Sequence, residues 1–176
     1  MNSFGVVQGA NTIRIVDTQE QHIEGAHLCL DIVARERRHL TLLEAPPLEG
    51  TREFIRSLLT GGGVHVVAVD ENDSVVGWCD IVRDLRVGFR HTGRLGMGLL
   101  SDFRGKGLGA KLATTAIERG WDSGLERIEL DVFASNARAI ALYQKLGFSW
   151  EGVKRKARKL DDDTYDDIVF MALVRT

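Results

Sequence analysis

Three glycines within six residues, Arg104-Gly105-Lys106-Gly107-Leu108-Gly109, join an apolar strand-like segment to an amphipathic helix, and no other stretch constrains the fold as much. Upstream lies Leu95-Gly96-Met97-Gly98-Leu99-Leu100, and downstream Leu108, Leu112, Ala116 and Ile117 recur at helical spacing. Glycine has no Cβ, so main-chain N–H groups there can come close to a bound anion. The first turn of the following helix points its unpaired N–H groups and positive dipole end the same way. Arg104, Lys106 and Lys111 add positive charge. The junction reads as a seat for a diphosphate, with plain turn chemistry as the alternative.

A length of 176 residues, 44% of them hydrophobic and 27% charged, suits one compact globular domain. A net charge of −2 argues against nucleic acid as a partner. No apolar run approaches the ~20 residues that span a bilayer. Residues 1–12 carry neither a basic nor an apolar leader pattern and read as an N-terminal extension, with one domain over 13–176. Cys29 and Cys79 could form one disulfide, but without an export signal they read as reduced, buried thiols of a cytoplasmic protein. The five histidines show no metal-ligand spacing, and no G-x-S-x-G nucleophile turn occurs.

Hydrophobic periodicity predicts a strand at Ile13 to Asp17, a helix from Thr18 to about Arg38, and a second helix from Thr51 to Leu59. Strands follow at Val64 to Val69, Ser74 to Val82 and before the glycine loop. A helix then runs to about Trp121, a strand covers Arg127 to Phe133, a helix covers Asn136 to Leu146, and a hairpin closes the chain. Antiparallel strands first and strand–helix–strand–helix after them predict an α+β or mixed α/β sheet flanked by helices.

Gly105-Lys106-Gly107-Leu108-Gly109-Ala110 also satisfies the dinucleotide pattern G-x-G-x-x-A, with Glu129 or Asp131 downstream as the acidic residue. Polar residues between strand and first glycine, and too few later strand–helix units, disfavour an NAD(P)-binding oxidoreductase. The mononucleotide P-loop fails because Lys111 is followed by Leu112 rather than Ser or Thr.

A second block, Ser135-Asn136-Ala137-Arg138-Ala139-Ile140-Ala141-Leu142-Tyr143-Gln144-Lys145-Leu146-Gly147-Phe148, is a capped helix with a glycine stop. By itself, Tyr143 there reads as a core aromatic whose hydroxyl finds a backbone partner. Together, the two blocks resemble the GCN5-related N-acetyltransferases (the GNAT superfamily). Arg104 to Gly109 matches that family's [RQ]-x-x-G-x-[GA] loop, and Asn136 to Phe148 its N-x-x-A-x-x-L-Y-x-x-x-G-F block. The chain is most similar to bacterial enzymes acting on small amines and amino acids, and Leu130 to Tyr143 is also similar to ribosomal-protein N-terminal acetyltransferases.

The resemblance implies a mixed, mostly antiparallel sheet of six to seven strands with about four flanking helices. It implies acetyl-CoA as cosubstrate, its pyrophosphate over the backbone of Arg104, Gly105, Lys106, Gly107, Leu108, Gly109 and Ala110. Leu99 and Leu100 would meet the thioester and pantetheine through their main chain, and Asn136 would contact the cofactor unless it is only an N-cap. The implied chemistry is direct attack by a primary amine through a tetrahedral intermediate, with Tyr143 in the general-acid position. Asp131, twelve residues before Tyr143, stands where the N-terminal acetyltransferases carry a glutamate base. Being shorter, it would act through a water; Glu129, His91 or solvent alone are the alternatives. The acceptor is a small amine, an amino acid or a peptide N-terminus, and a homodimer is common among similar proteins. A non-catalytic acyl-CoA-binding module is the rival of a different class.

Overall fold

The computed structural model describes residues 12–175; apart from Thr12, the N-terminal extension lies outside them. Seven strands form one sheet: β1 (Arg14–Asp17), β2 (Val64–Val69), β3 (Val75–Arg83), β4 (Thr92–Leu99), β5 (Arg127–Phe133), β6 (Ser149–Lys159) and β7 (Tyr165–Val174). Their order is β1-β2-β3-β4-β5-β7-β6, and every neighbouring pair is antiparallel except β4 with β5. The alternating parallel layout of a dinucleotide-binding fold is therefore absent from the described residues.

Four helices cover the two faces: α1 (Ile23–Arg35), α2 (Leu48–Thr60), α3 (Leu108–Asp122) and α4 (Ala137–Lys145). The first predicted helix is split, because residues Glu20–His22 form a separate 3-10 turn before α1. The second begins three residues earlier than the periodicity suggests, directly after Pro47, whose fixed φ of −50° suits the entry to a helix. No described helix is long and apolar enough to cross a membrane.

Two hydrophobic layers result. Ile23, Ala26, Cys29 and Val33 of α1 and Ile55 of α2 pack with Val67, Val69 and Trp78 on one face. Leu112, Ala116 and Ile117 of α3 and Tyr143 of α4 pack with Val66, Cys79, Ile81 and Leu130 on the other. Cys29 and Cys79 are thus both buried free thiols, one in each layer. Burial pushes the Cys29 thiol up to about 12, so it stays protonated and inert.

The sheet splits in its middle. β4 and β5 pair only from Thr92 with Arg127 to Arg94 with Glu129, after which β5 stays with β7 and β4 with β3. The Arg127 N–H donates to the His91 carbonyl on the β5 side, whereas the Leu100 N–H donates to Val76 on the β3 side. Main-chain groups alternate sides along a strand, so the odd-numbered Met97 and Leu99 turn theirs toward the gap that opens beside β5. That gap is what the rest of the fold frames.

Candidate active site

The glycine loop lies at one end of the gap. Gly105 and Gly107 both adopt left-handed backbone, with φ of +78° and +81°, and Gly107 is the N-cap residue of α3. A side chain at either would strain the turn, which is the local reason for glycine there. The first bond of the α3 ladder runs from the Lys111 N–H to the Gly107 carbonyl, so the N–H groups of Leu108, Gly109 and Ala110 stand outside the ladder. A Cβ built on Gly107 meets nothing within 4 Å, so the space in front of this helix end is open. Donor groups, the helix dipole and free space coincide, as an anionic diphosphate needs.

Arg104 does a different job from the one its charge suggests. Its Nε and Nη2 donate to the Leu99 carbonyl at 2.8 and 2.6 Å, while Nη1 and Nη2 form a two-pronged bond to Glu36 at 2.8 and 2.7 Å. The guanidinium thus pins the end of β4 to the segment after α1, and its hydrogen bonds hold the Glu36 carboxyl below the usual range. Leu100 is likewise committed, since its N–H bonds Val76. Of the main-chain donors at the end of β4, Leu99 and Met97 face the gap.

Tyr143 of α4 packs in the layer that includes Leu95 and Leu99 of β4. Its ring packs against Phe148 at a centroid distance of 5.7 Å, and the residue is buried. No hydrogen bond between described residues involves its hydroxyl, yet no buried side-chain polar atom among them lacks a partner. The oxygen is therefore not sealed in the core without a partner. Burial, with the neighbouring Cys79 and Asp80, pushes the phenol above its ordinary range and keeps it protonated.

On the opposite face a cavity of about 350 Å³ lies between the sheet and the first two helices. Leu30, Leu40, Phe54, Ile55 and Trp78 supply apolar wall, and Asp80 is the carboxylate on its floor. The bare face of β4 explains how Asp80 fits. A Cβ on Gly98 would strike the Trp78 ring at 2.2 Å, and one on Gly96 would meet Asp80 Oδ1 at 3.3 Å. The two glycines make room for the two β3 side chains opposite them. Trp78 Nε1 donates to Asp80 at 3.2 Å, but burial dominates and raises the carboxyl to about 7. His65, paired with Asp80 across β2 and β3, is bonded to Thr18 at 2.7 Å and pushed down to about 4 by burial, so it is neutral.

The Acetyltransferase (GNAT) family matches residues 30–148, which include the loop, the gap and the Tyr143 helix. The chain belongs to the GNAT acetyltransferase family. Curated relatives of this GNAT chain include the L-amino acid N-acetyltransferase AaaT of Escherichia coli, 35% identical over 113 residues, 63% of this chain and 68% of AaaT. The uncharacterized N-acetyltransferase YdgE of Bacillus subtilis is 42% identical over 59 residues, 34% of this chain and 38% of YdgE. The match covers 17% of a mycothiol acetyltransferase from Corynebacterium aurimucosum, so the alignment spans well under half of both these relatives. In structure, a GNAT-family acetyltransferase from Streptococcus pneumoniae superposes with a TM-score of 0.86 at 24% identity, over 93% of this chain and 99% of that one. A phosphinothricin acetyltransferase from Sinorhizobium meliloti, solved with AcCoA, gives 0.85 at 20% identity, over 94% and 88%. At these identities the likeness is one of fold.

Asp131, the base candidate in the sequence, is engaged in an ion pair. Its carboxylate is 2.8 Å from Arg94 Nη1, and Glu129 shares the same guanidinium at 3.2 Å. Glu129 also pairs with Arg127, and His91 is exposed and linked to β5 through its carbonyl. Asn136 is an N-cap, its side-chain oxygen accepting from the Ala139 N–H at 3.2 Å, with its amide nitrogen 3.4 Å from His39. Lys154-Arg155-Lys156-Ala157-Arg158-Lys159 form a basic run on β6, and its Arg158 lies over the Phe133 ring and bonds the Arg37 and Arg38 carbonyls after α1. Sequence reasoning missed Asp80 and Met97. The available signal for Asp80 was an acid inside the apolar strand Val75–Arg83, where an unpaired charge is expensive.

Proposed function

We propose that the protein transfers an acetyl group from acetyl-CoA to a primary amine, with Asp80 as proton acceptor and Tyr143 as hydrogen-bond donor to the departing sulfur. The observation that carries this reading is the placement of these two groups. A carboxyl raised to about 7 lies against Gly96 of β4 on one face of the sheet, and the Tyr143 phenol packs in the layer with Leu95 and Leu99 of β4 on the other. Bound acetyl-CoA would supply an activated carbonyl and a thiolate leaving group. The N–H groups of Leu108, Gly109 and Ala110 would hold its diphosphate, with Lys106 of the loop and Asn136 at the start of α4 as further contacts.

An acceptor that arrives as an ammonium would lose two protons from nitrogen, the first to Asp80 before attack and the second from the tetrahedral intermediate, and the departing thiolate would take up the second. An ammonium entering the cavity meets Asp80, whose pKa near 7 makes it a competent acceptor at neutral pH without leaving it protonated above that. The Met97 and Leu99 N–H groups are the donors available to a carbonyl oxygen that gains charge. Tyr143 donates its hydrogen bond toward the departing sulfur. Because its pKa is raised, the phenol acts chiefly by hydrogen-bonding a thiolate that burial also makes more basic. Asp131 takes no part in this scheme, since Arg94 occupies it.

Free-thiol release from acetyl-CoA across a panel of amines and peptides tests the proposal, and turnover with at least one acceptor is the expected result. Acetyl-CoA should also raise the melting temperature. Stabilisation by NAD(P) instead would reverse the assignment. Gly107→Ala provides a sharper probe of the diphosphate seat. The added methyl enters open space at a left-handed φ, which costs about 1 kcal/mol of folding. The variant should therefore fold but bind acetyl-CoA roughly tenfold more weakly, read by calorimetry. Unchanged affinity would place the diphosphate elsewhere.

A further inference from the structure

The charge balance of the cavity beside Asp80 narrows the acceptor. Resting on the acetyl-transfer reading, we infer that the acceptor is a primary amine carried on an apolar body with no second charge, such as an arylalkylamine, and not a zwitterionic amino acid or a polyamine. Among the described residues that line the cavity, Asp80 is the one acid, and no lysine or arginine is present. His65 contributes a neutral ring, held by Thr18. Arg94 is the next residue on this face of β4, two positions from Gly96, and its guanidinium is engaged by Asp131 and Glu129. Arg52 of α2 is turned to Glu20, Glu24 and Glu49.

Each part of such an amine then has a counterpart. The ammonium pairs with Asp80, while Phe54, Ile55, Leu30 and Trp78 surround an aromatic ring or branched alkyl group. An α-carboxylate would enter the same apolar space next to Asp80 with no cation to meet it, so repulsion and lost hydration both oppose it. A second ammonium would find no second carboxylate. A site lacking partners for a charge rejects it more strongly than a site lacking room for a methylene.

The test uses the full chain with acetyl-CoA and compares phenethylamine, L-phenylalanine, L-phenylalaninamide and putrescine by thiol release. Phenethylamine should exceed phenylalanine in kcat/KM by about tenfold or more, and the amide, which removes only the charge, should recover most of the difference. Phe54→Arg adds a cation at a half-exposed wall position without touching the core, and it should shift preference toward phenylalanine by a similar factor. Equal or better turnover of phenylalanine, or a preference for putrescine, would overturn the inference while leaving acetyl transfer intact. No thiol release with any of these amines or with free-N-terminus peptides would overturn the acetyl-transfer reading itself.

Discussion

Tyr143→Phe is expected to lower kcat by roughly 100- to 1,000-fold while leaving acetyl-CoA affinity within about twofold. The substitution removes one oxygen and keeps the ring, so the packing against Phe148 and the α4 face survives. That oxygen bonds no described residue in the free protein, so its loss leaves no buried partner unsatisfied. Stability should therefore change little, or rise slightly. The effect falls on the step in which charge develops on sulfur, where a single oriented donor in a dry site has its full strength. Single-turnover measurements with saturating acetyl-CoA should show slowed chemistry with an unchanged dissociation constant. Turnover retained at the wild-type rate would remove Tyr143 from the reaction, and an acyl-CoA-binding module with no enzymatic role predicts no rate to lose.

The parts of this site that were legible in the sequence are those built from neighbours in the chain. Gly105 and Gly107 announce left-handed turns, Asn136 announces a helix start and Gly147 its end, because each answers a demand within a few residues. The strand and helix order followed from periodicity in the same way. What escaped depends on pairs distant in sequence. Asp80 is a base candidate only because β3 pairs with β4 in a register that sets Gly96 opposite it. Asp131 looked suitable by its count from Tyr143, but a parallel register 37 residues away brings Arg94 onto it. Leu100 seemed a natural contact at the strand end, and only the Val76 bond reveals which way its N–H turns. Arg104 carried the charge of an anion ligand, yet Glu36 and the Leu99 carbonyl already employ it.

Asp80→Asn should separate activity from stability with opposite signs. At pH 8, kcat/KM is expected to fall by roughly 100-fold or more, since the amide cannot accept the amine's proton. The wild-type profile should lose a factor of about ten per pH unit below pH about 7, and the variant's residual rate should lack that limb. Stability runs the other way. The folded carboxyl titrates near 7 against 3.8 when unfolded, so folding retains the proton and the ionised form is penalised. Wild-type stability from this group is therefore present at low pH and lost as pH rises from about 4 to about 7. Asparagine keeps the hydrogen bond from Trp78 without the charge, so at pH 8 it should stabilise by about 2 kcal/mol, a value discounted because part of the side chain faces the cavity. For a chain of this size that is roughly 4–8 °C in Tm. At pH 5 the gain should shrink, because wild-type Asp80 is then protonated. His65 slopes oppositely: buried neutral with a folded pKa of about 4 against 6.5, it costs stability as pH falls below about 6.5. The two slopes oppose each other in the wild type between pH 4 and 6.5, and only the His65 slope remains in the variant. Melting temperatures of both proteins from pH 4.5 to 8, with kcat/KM over the same range, read all of this at once. A variant that is both active and no more stable at pH 8 would show that Asp80 is an ordinary solvated carboxylate, and the proton would need another acceptor.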